Sequence, residues 1–138
     1  MPEPTRSPFS YAILRVVPRV ERGERFNVGV VVFCRQRDFL GMRTHLDPVR
    51  LHALAPDADA GQLEAHLAAL TQTASADPSA GAIAALPPSE RFGWLVAPSS
   101  TMIQPSEVHT GLCADPQATL DTLFAELVSS VDAPASRS

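Results

Sequence analysis

Phe26-Asn27-Val28-Gly29-Val30-Val31-Val32-Phe33-Cys34-Arg35 is the stretch on which the fold turns. β-Branched and aromatic residues dominate it, and these fit a pleated, packed surface best. From Val28 to Cys34 the run is apolar on both faces. A strand of that kind belongs centrally in a sheet, with both sides covered. On its amino-terminal side, Phe9 to Val17 (FSYAILRVV) has the same enrichment and predicts a second strand. Pro18 ends it, because proline cannot donate to a ladder. On the other side, the turn Arg35-Gln36-Arg37-Asp38 leads into Phe39 to Leu46. There Leu40, Met42, Thr44 and Leu46 alternate with Phe39, Gly41, Arg43 and His45, the period of a half-buried strand. Three strands with short connections make an antiparallel meander.

Helix signals follow. Asp47-Pro48 supplies an N-cap and a first-position proline for a short helix that carries Leu51 and Leu54 inward and stops at Ala55-Pro56. A second helix is expected from about Ala60 to Thr73, with Asp59 and Gln62 as a capping box and Leu63, Leu67 and Leu70 as its apolar stripe. Ser75 to Ala85 is small and rich in Pro, Gly and Ala, and reads as a loop. Ser89 is expected to cap a short helix holding Phe92, Trp94, Leu95 and Val96. Thr101 to Gln104 and Glu107 to Cys113 read as two short strands joined at Pro105-Ser106. Asp115-Pro116 repeats the capping signature, and Leu120, Leu123, Phe124, Leu127 and Val128 recur at helical spacing. The expected class is α+β: a mostly antiparallel sheet, with a three-strand amino-terminal meander and two short late strands. Three to four helices cover it, including an amphipathic carboxy-terminal one. We expect a single domain over residues 9–131, with flexible tails at 1–8 and 132–138, where Pro, Ser and Ala leave little to bury.

A chain of 138 residues with 45% apolar and 19% charged side chains can build one real core. Its net charge of −4 argues against bulk attraction to nucleic acid or to an anionic membrane. With aromatics at only 6%, a base-stacking platform is not expected either. All 11 basic residues are arginine, and most lie between Arg15 and Arg50. Cys34 and Cys113 sit in no metal-type spacing, which fits a cytoplasmic protein with two reduced, buried thiols. The sequence has no secretory h-region and no apolar run near ~20 residues, so no membrane association is expected. It also has no phosphate loop, dinucleotide fingerprint, zinc signature or calcium loop, so no cofactor and no metal are expected.

Two polar segments stand apart from the scaffold. The loop from Arg19 to Asn27 packs Arg19, Arg22 and Arg25 with Glu21, Glu24 and Gly23, beside the one asparagine of the chain. Arginine forks and a glycine that admits close backbone approach would suit an anion. The alternative is a solvated hairpin loop whose Arg–Glu pairs neutralise one another. Ala97 to Gly111 is crowded with hydroxyls and holds Gln104 and His109 between apolar residues. His109 could act as a ligand contact or general base, or simply be a strand histidine satisfied by backbone. His45, Asp47 and His52 have no metal spacing, His66 flanks an apolar stripe, and no serine has a nucleophile-elbow context.

YAILRVVPRVERGERFNVGVVVF (residues 11–33), ALPPSERF (85–92) and STMIQPSEVHTGL (100–112) together carry a resemblance. From about Phe9 to Val128 the chain resembles the bacterial family catalogued as domain of unknown function 3037. No activity comes with that resemblance. It implies short stand-alone bacterial proteins, some encoded beside kinase-like proteins resembling the HipA toxin, and so a kinase-like protein partner. The polar positions it implies are Arg15, on the strand before the loop, and Arg19, Glu21, Asn27, Gln104, Ser106, His109 and Thr110, in the same two segments. The leading expectation is a binding or regulatory module. In it Arg15, Arg19 and Arg22 hold an anionic ligand or an acidic group of a protein partner, and Gln104, Ser106, His109 and Thr110 add neutral contacts. The alternative is a hydrolase or phosphoryl-handling enzyme in which Glu21 or Glu24 works with His109. Nucleic-acid binding through the arginine-rich loop ranks third. Homodimer formation is open too, since a sheet has edges and an exposed one can pair with its copy.

Overall fold

Strand β1 (Ser7–Val16) is the hub of a computed structural model that describes residues 5–98 and 101–129. It pairs antiparallel with β2 (Phe26–Cys34) on one side. On its other side it pairs with two short strands in succession, β4 (Ile103–Pro105) against Leu14–Val16 and β5 (His109–Cys113) against Ser7–Tyr11. Strand β3 (Phe39–Thr44) closes the far flank, giving the order β3-β2-β1-β4 with β5 beside β4 on β1. The expected meander and late strand pair are thus present in one mostly antiparallel α+β sheet. β2 is central and sealed: Val28, Val30, Val31, Val32 and Cys34 have no exposed surface.

The two faces carry different helices. Ala12, Leu14, Val16, Val28 and Val31 pack under Leu51 of α1 (Pro48–Leu54), Leu63 and Leu67 of α2 (Ala60–Ala74), and Phe92 and Leu95 of α3 (Pro88–Leu95). Val30 and Val32 pack on the other face under Leu120, Phe124 and Val128 of the helix α4 (Pro116–Leu127) and its end. Each such buried aliphatic side chain contributes about 1.5–3 kcal/mol. The three aspartate caps form: Asp47 accepts from Val49 and Arg50, Asp59 from Gln62, and Asp115 from Gln117 and Ala118, all backbone N–H groups. The expected capping box at α2 is only half made, because the Gln62 side chain does not return a bond.

Several local expectations are corrected. β1 begins at Ser7, so the loose amino-terminal tail does not extend to residue 8. Ser7 is buried against Cys113, and its Oγ receives a hydrogen bond from Arg37 Nε at 3.1 Å. The other expected tail, 132–138, and the boundary at 131 lie outside the described residues. Ser89 is not a cap: α3 opens at Pro88, Pro87 stands at the cap position without a side-chain bond, and Trp94 is 48% exposed. Proline at the first helical position presets the helical φ, and the Pro87 carbonyl accepts from the Glu90 and Arg91 N–H groups, each at 3.0 Å, so the helix starts one residue before Ser89. The segment from 75 to 85 is not plain loop but holds two 3-10 turns, Pro78–Ala80 and Ala82–Ala85. Arg91 anchors its surroundings, donating to the carbonyls of Leu86 at 2.7 Å and Ala74 at 3.4 Å.

Both cysteines are buried and unpaired by a disulfide. Cys34 Sγ donates to the Pro8 carbonyl at 3.4 Å. Burial, and then the neighbouring Cys34 thiol, push the Cys113 thiol up from its ordinary pKa. Among the described residues no helix is long and apolar enough to cross a membrane.

Candidate functional site

The site grows from an irregularity in the β1–β2 ladder. Leu14 pairs with Gly29 but Arg15 pairs with Asn27, so the register skips Val28 between them. A bulge of this kind re-aims side chains and is common beside functional sites. Arg15 is also opposite Gln104 of β4, so Asn27, Arg15 and Gln104 form one row across three strands. They lie on the face that α4 covers only in part.

The three residues of this row have different fates. Asn27 Nδ2 donates to the Leu127 carbonyl at 2.9 Å, satisfying the end of α4. Gln104 Nε2 donates to the Thr101 carbonyl at 3.1 Å. Arg15 is partly buried, yet no described residue forms a hydrogen bond or ion pair with its guanidinium. Burial lowers its pKa, the charge of Arg25 lowers it further, and Glu107 acts in the opposite sense. The cation is therefore held at some cost: partly desolvated and beside a like charge, with the exposed Glu107 carboxylate acting in its favour. Perturbed charges of this sort concentrate at functional sites.

Next along β1 comes an aromatic ladder. Tyr11 is directly opposite His109, and their rings lie 5.1 Å apart between centroids; Phe9 stacks on Tyr11 at 5.9 Å. Glu107 Oε1 lies 3.8 Å from His109 Nε2, with side-chain exposures of 79% and 40%. Arg15, Arg25, Gln104, Glu107, Tyr11 and His109 thus make one polar and aromatic strip. The sequence reading placed Arg25 in the candidate anion loop but assigned neither Glu107 nor Tyr11 to the site. The missed signal is strand periodicity: on β1, Tyr11 shares a face with Arg15.

The remaining sequence candidates lie elsewhere. Arg19, Glu21 and Arg22 belong to the β1–β2 loop, where Val20–Arg22 form a 3-10 turn and Gly23 takes φ +71°. Arg22 bonds Glu24 at 3.2 Å. Arg19, Arg22 and Glu24 border a cleft of about 370 Å³ with Leu54, Asp57 and Met102. Two cations and two carboxylates leave that wall without net charge, and the carboxyl end of α1, the negative end of its dipole, lies there too. Ser106 is buried and does backbone work: its Oγ accepts from the Ile13 N–H at 2.9 Å and donates to the Glu107 carbonyl at 2.8 Å. It bridges the break between β4 and β5. Thr110 is exposed on the opposite face and borders a separate depression with Phe33 and Arg35. Ser99 and Ser100 lie outside the described residues.

The carboxylate beside His109 is Glu107, whereas Glu24 bonds Arg22, so no contact joins His109 to Glu21 or Glu24. Among the described residues no group of three His, Cys, Asp or Glu side chains could hold a metal ion.

The model of a family described as "Protein of unknown function (DUF3037)" matches residues 11–128, from the middle of β1 to the end of α4. The chain belongs to this family. No curated protein and no solved structure matches it. Every residue of the Arg15 strip falls inside the part that matches the DUF3037 model, as do the loop cleft and the Ser106 bridge. The first two residues of the aromatic ladder straddle its start: Tyr11 is inside the match and Phe9 precedes it.

Proposed function

We propose that this protein is a non-catalytic binding module that recognises an acidic segment of a partner protein on the Arg15 face of its sheet. The observation that carries the reading is the partly buried Arg15 guanidinium, bonded to no described residue and set beside Arg25. A carboxylate placed between the two arginines would relieve both the desolvation and the like-charge repulsion, through charge-assisted hydrogen bonds. Arg15 lines none of the five depressions among the described residues that border the loop, helices and late strands, which favours an extended surface group over an enclosed small molecule. Tyr11 and His109 supply flat amphipathic surface alongside, and Tyr and Arg are the residues that concentrate binding energy at protein interfaces. A kinase-like protein, the partner class implied by the family resemblance, is the first whole protein to assay.

The test is an NMR titration of the labelled protein with an oligoglutamate peptide, at low and moderate salt. Saturable shifts at the Arg15 and Arg25 Nε–H signals and at Tyr11 and His109, lost in Arg15→Gln, are expected. Shifts confined to Arg19 and Arg22 would move the site to the loop cleft and overturn the assignment. A response that is the same in Arg15→Gln would overturn it as well.

A further inference from the structure

The sheet has three free margins among the described residues, and two of them are guarded. On β3, Arg43 is tied to Asp121 at 3.1 Å and lies over the Phe124 ring at 4.2 Å. β4 ends in Pro105. Charges and prolines of this kind discourage edge-to-edge pairing. β5, His109-Thr110-Gly111-Leu112-Cys113, has no acidic residue, lysine, arginine or proline, and Leu112 is 62% exposed.

The direction of its backbone groups follows from Ile13. The Ile13 N–H donates to Ser106 Oγ and its carbonyl accepts from the Ser106 N–H at 2.7 Å, so both point toward the β4–β5 side. Backbone groups alternate sides along a strand. Tyr11, Phe9 and Ser7 therefore also point toward β5, opposite His109, Gly111 and Cys113. The Pro8 carbonyl, of the other parity, accordingly meets Cys34 of β2. His109, Gly111 and Cys113 thus use their N–H and C=O groups on β1. Thr110 and Leu112 present theirs outward, where no strand is paired.

We propose that β5 is a dimerisation edge that pairs antiparallel with β5 of a second copy, about a twofold axis at Gly111. That register sets Thr110 of each copy opposite Leu112 of the other, each pair exchanging both backbone bonds. Gly111 then faces Gly111 in the narrow position, where Cα atoms approach to about 4.5 Å and side chains crowd most. Glycine leaves room there already, because a Cβ would lie 2.7 Å from the Phe9 ring and force it to shift, and the same bareness lets the two strands meet at the axis. The register also brings the half-exposed Val108 of one copy opposite Ala114 of the other, where a depression lined by Ala118, Thr122 and Leu123 begins. An edge of five residues fits a weak, reversible dimer rather than a permanent one.

Sedimentation velocity over a concentration series reads this directly. The wild type is expected to move from the 14.7 kDa monomer toward twice that mass as concentration rises. Thr110→Pro removes only an outward N–H, and Leu112→Lys puts a guarding charge on the edge. Both are expected to stay monomeric with unchanged circular dichroism. A wild type that remains monomeric at its highest soluble concentration overturns the proposal. So does a dimer that survives both substitutions.

Discussion

Ser106→Ala separates a binding hydroxyl from a structural one. Ser106 Oγ is the acceptor for the Ile13 N–H at 2.9 Å, and Ile13 is only 8% exposed, so water cannot readily replace it. Removing the hydroxyl leaves a buried backbone donor unsatisfied, which costs about 1–3 kcal/mol. The Ser106 N–H to Ile13 carbonyl bond at 2.7 Å survives the change, so the strand break loses half its closure rather than all of it. A net loss of about 2 kcal/mol lowers Tm by roughly 5–10 °C in a domain of this size. Urea unfolding followed by circular dichroism should show a lower midpoint with an unchanged m-value. Thr110→Ala, which removes an exposed hydroxyl four residues away, is the control and should stay within about 0.5 kcal/mol of wild type. A Ser106→Ala loss no larger than that of the control would refute the bridging role.

Other consequences are as specific. Asn27→Ala should cost about 1 kcal/mol through the lost bond to the Leu127 carbonyl. Asn27→Asp should cost more, because a carboxylate would face a carbonyl at the negative end of α4; chemical denaturation ranks the two. Gly41→Ala should destabilise by about 1–3 kcal/mol, since its Cβ would lie 2.7 Å from Phe39 Cζ and 3.0 Å from Leu120 Cδ2. Cys113 holds its proton more tightly when folded, through burial and then the neighbouring Cys34. That stabilisation is complete below the unfolded thiol pKa of about 8.5 and is lost as pH rises through the folded value. Thermal melts should therefore fall above that pH in the wild type and fall less steeply in Cys113→Ala.

The fold was legible wherever one physical signal acted alone. The apolar run of β2, the Asp-Pro starts of α1 and α4, and the Asp59 cap of α2 each rest on local chemistry, and each formed as read. The cap of α3 was not legible, because Pro88 and Ser89 both signal a helix start and only the structure ranks them. The 3-10 turn at Pro78–Ala80 carries the same Asp-Pro cap as α1 and α4, Asp77 accepting from the Ser79 N–H at 3.0 Å, a local signal hidden by the small, Pro/Gly/Ala-rich composition around it. In the site, residue types were visible but directions were not. The bulge at Leu14/Arg15 decides that Asn27, Arg15 and Gln104 share a row. Alternation along β5 alone sends Thr110 to the opposite face from His109. The row across three strands could not be read from strands considered singly, because register is a property of pairs.

The melting temperature of Arg15→Met tests the central claim most directly. A guanidinium kept for a partner, partly desolvated beside Arg25 and bonded to no described residue, is a burden on the free protein, and sites of that kind trade stability for binding. Methionine keeps the packing stem and removes the charge. Arg15→Met is expected to have a higher Tm than wild type and to lose oligoglutamate binding. A lower Tm would contradict the claim, showing that Arg15 holds the sheet together rather than waiting for an anion.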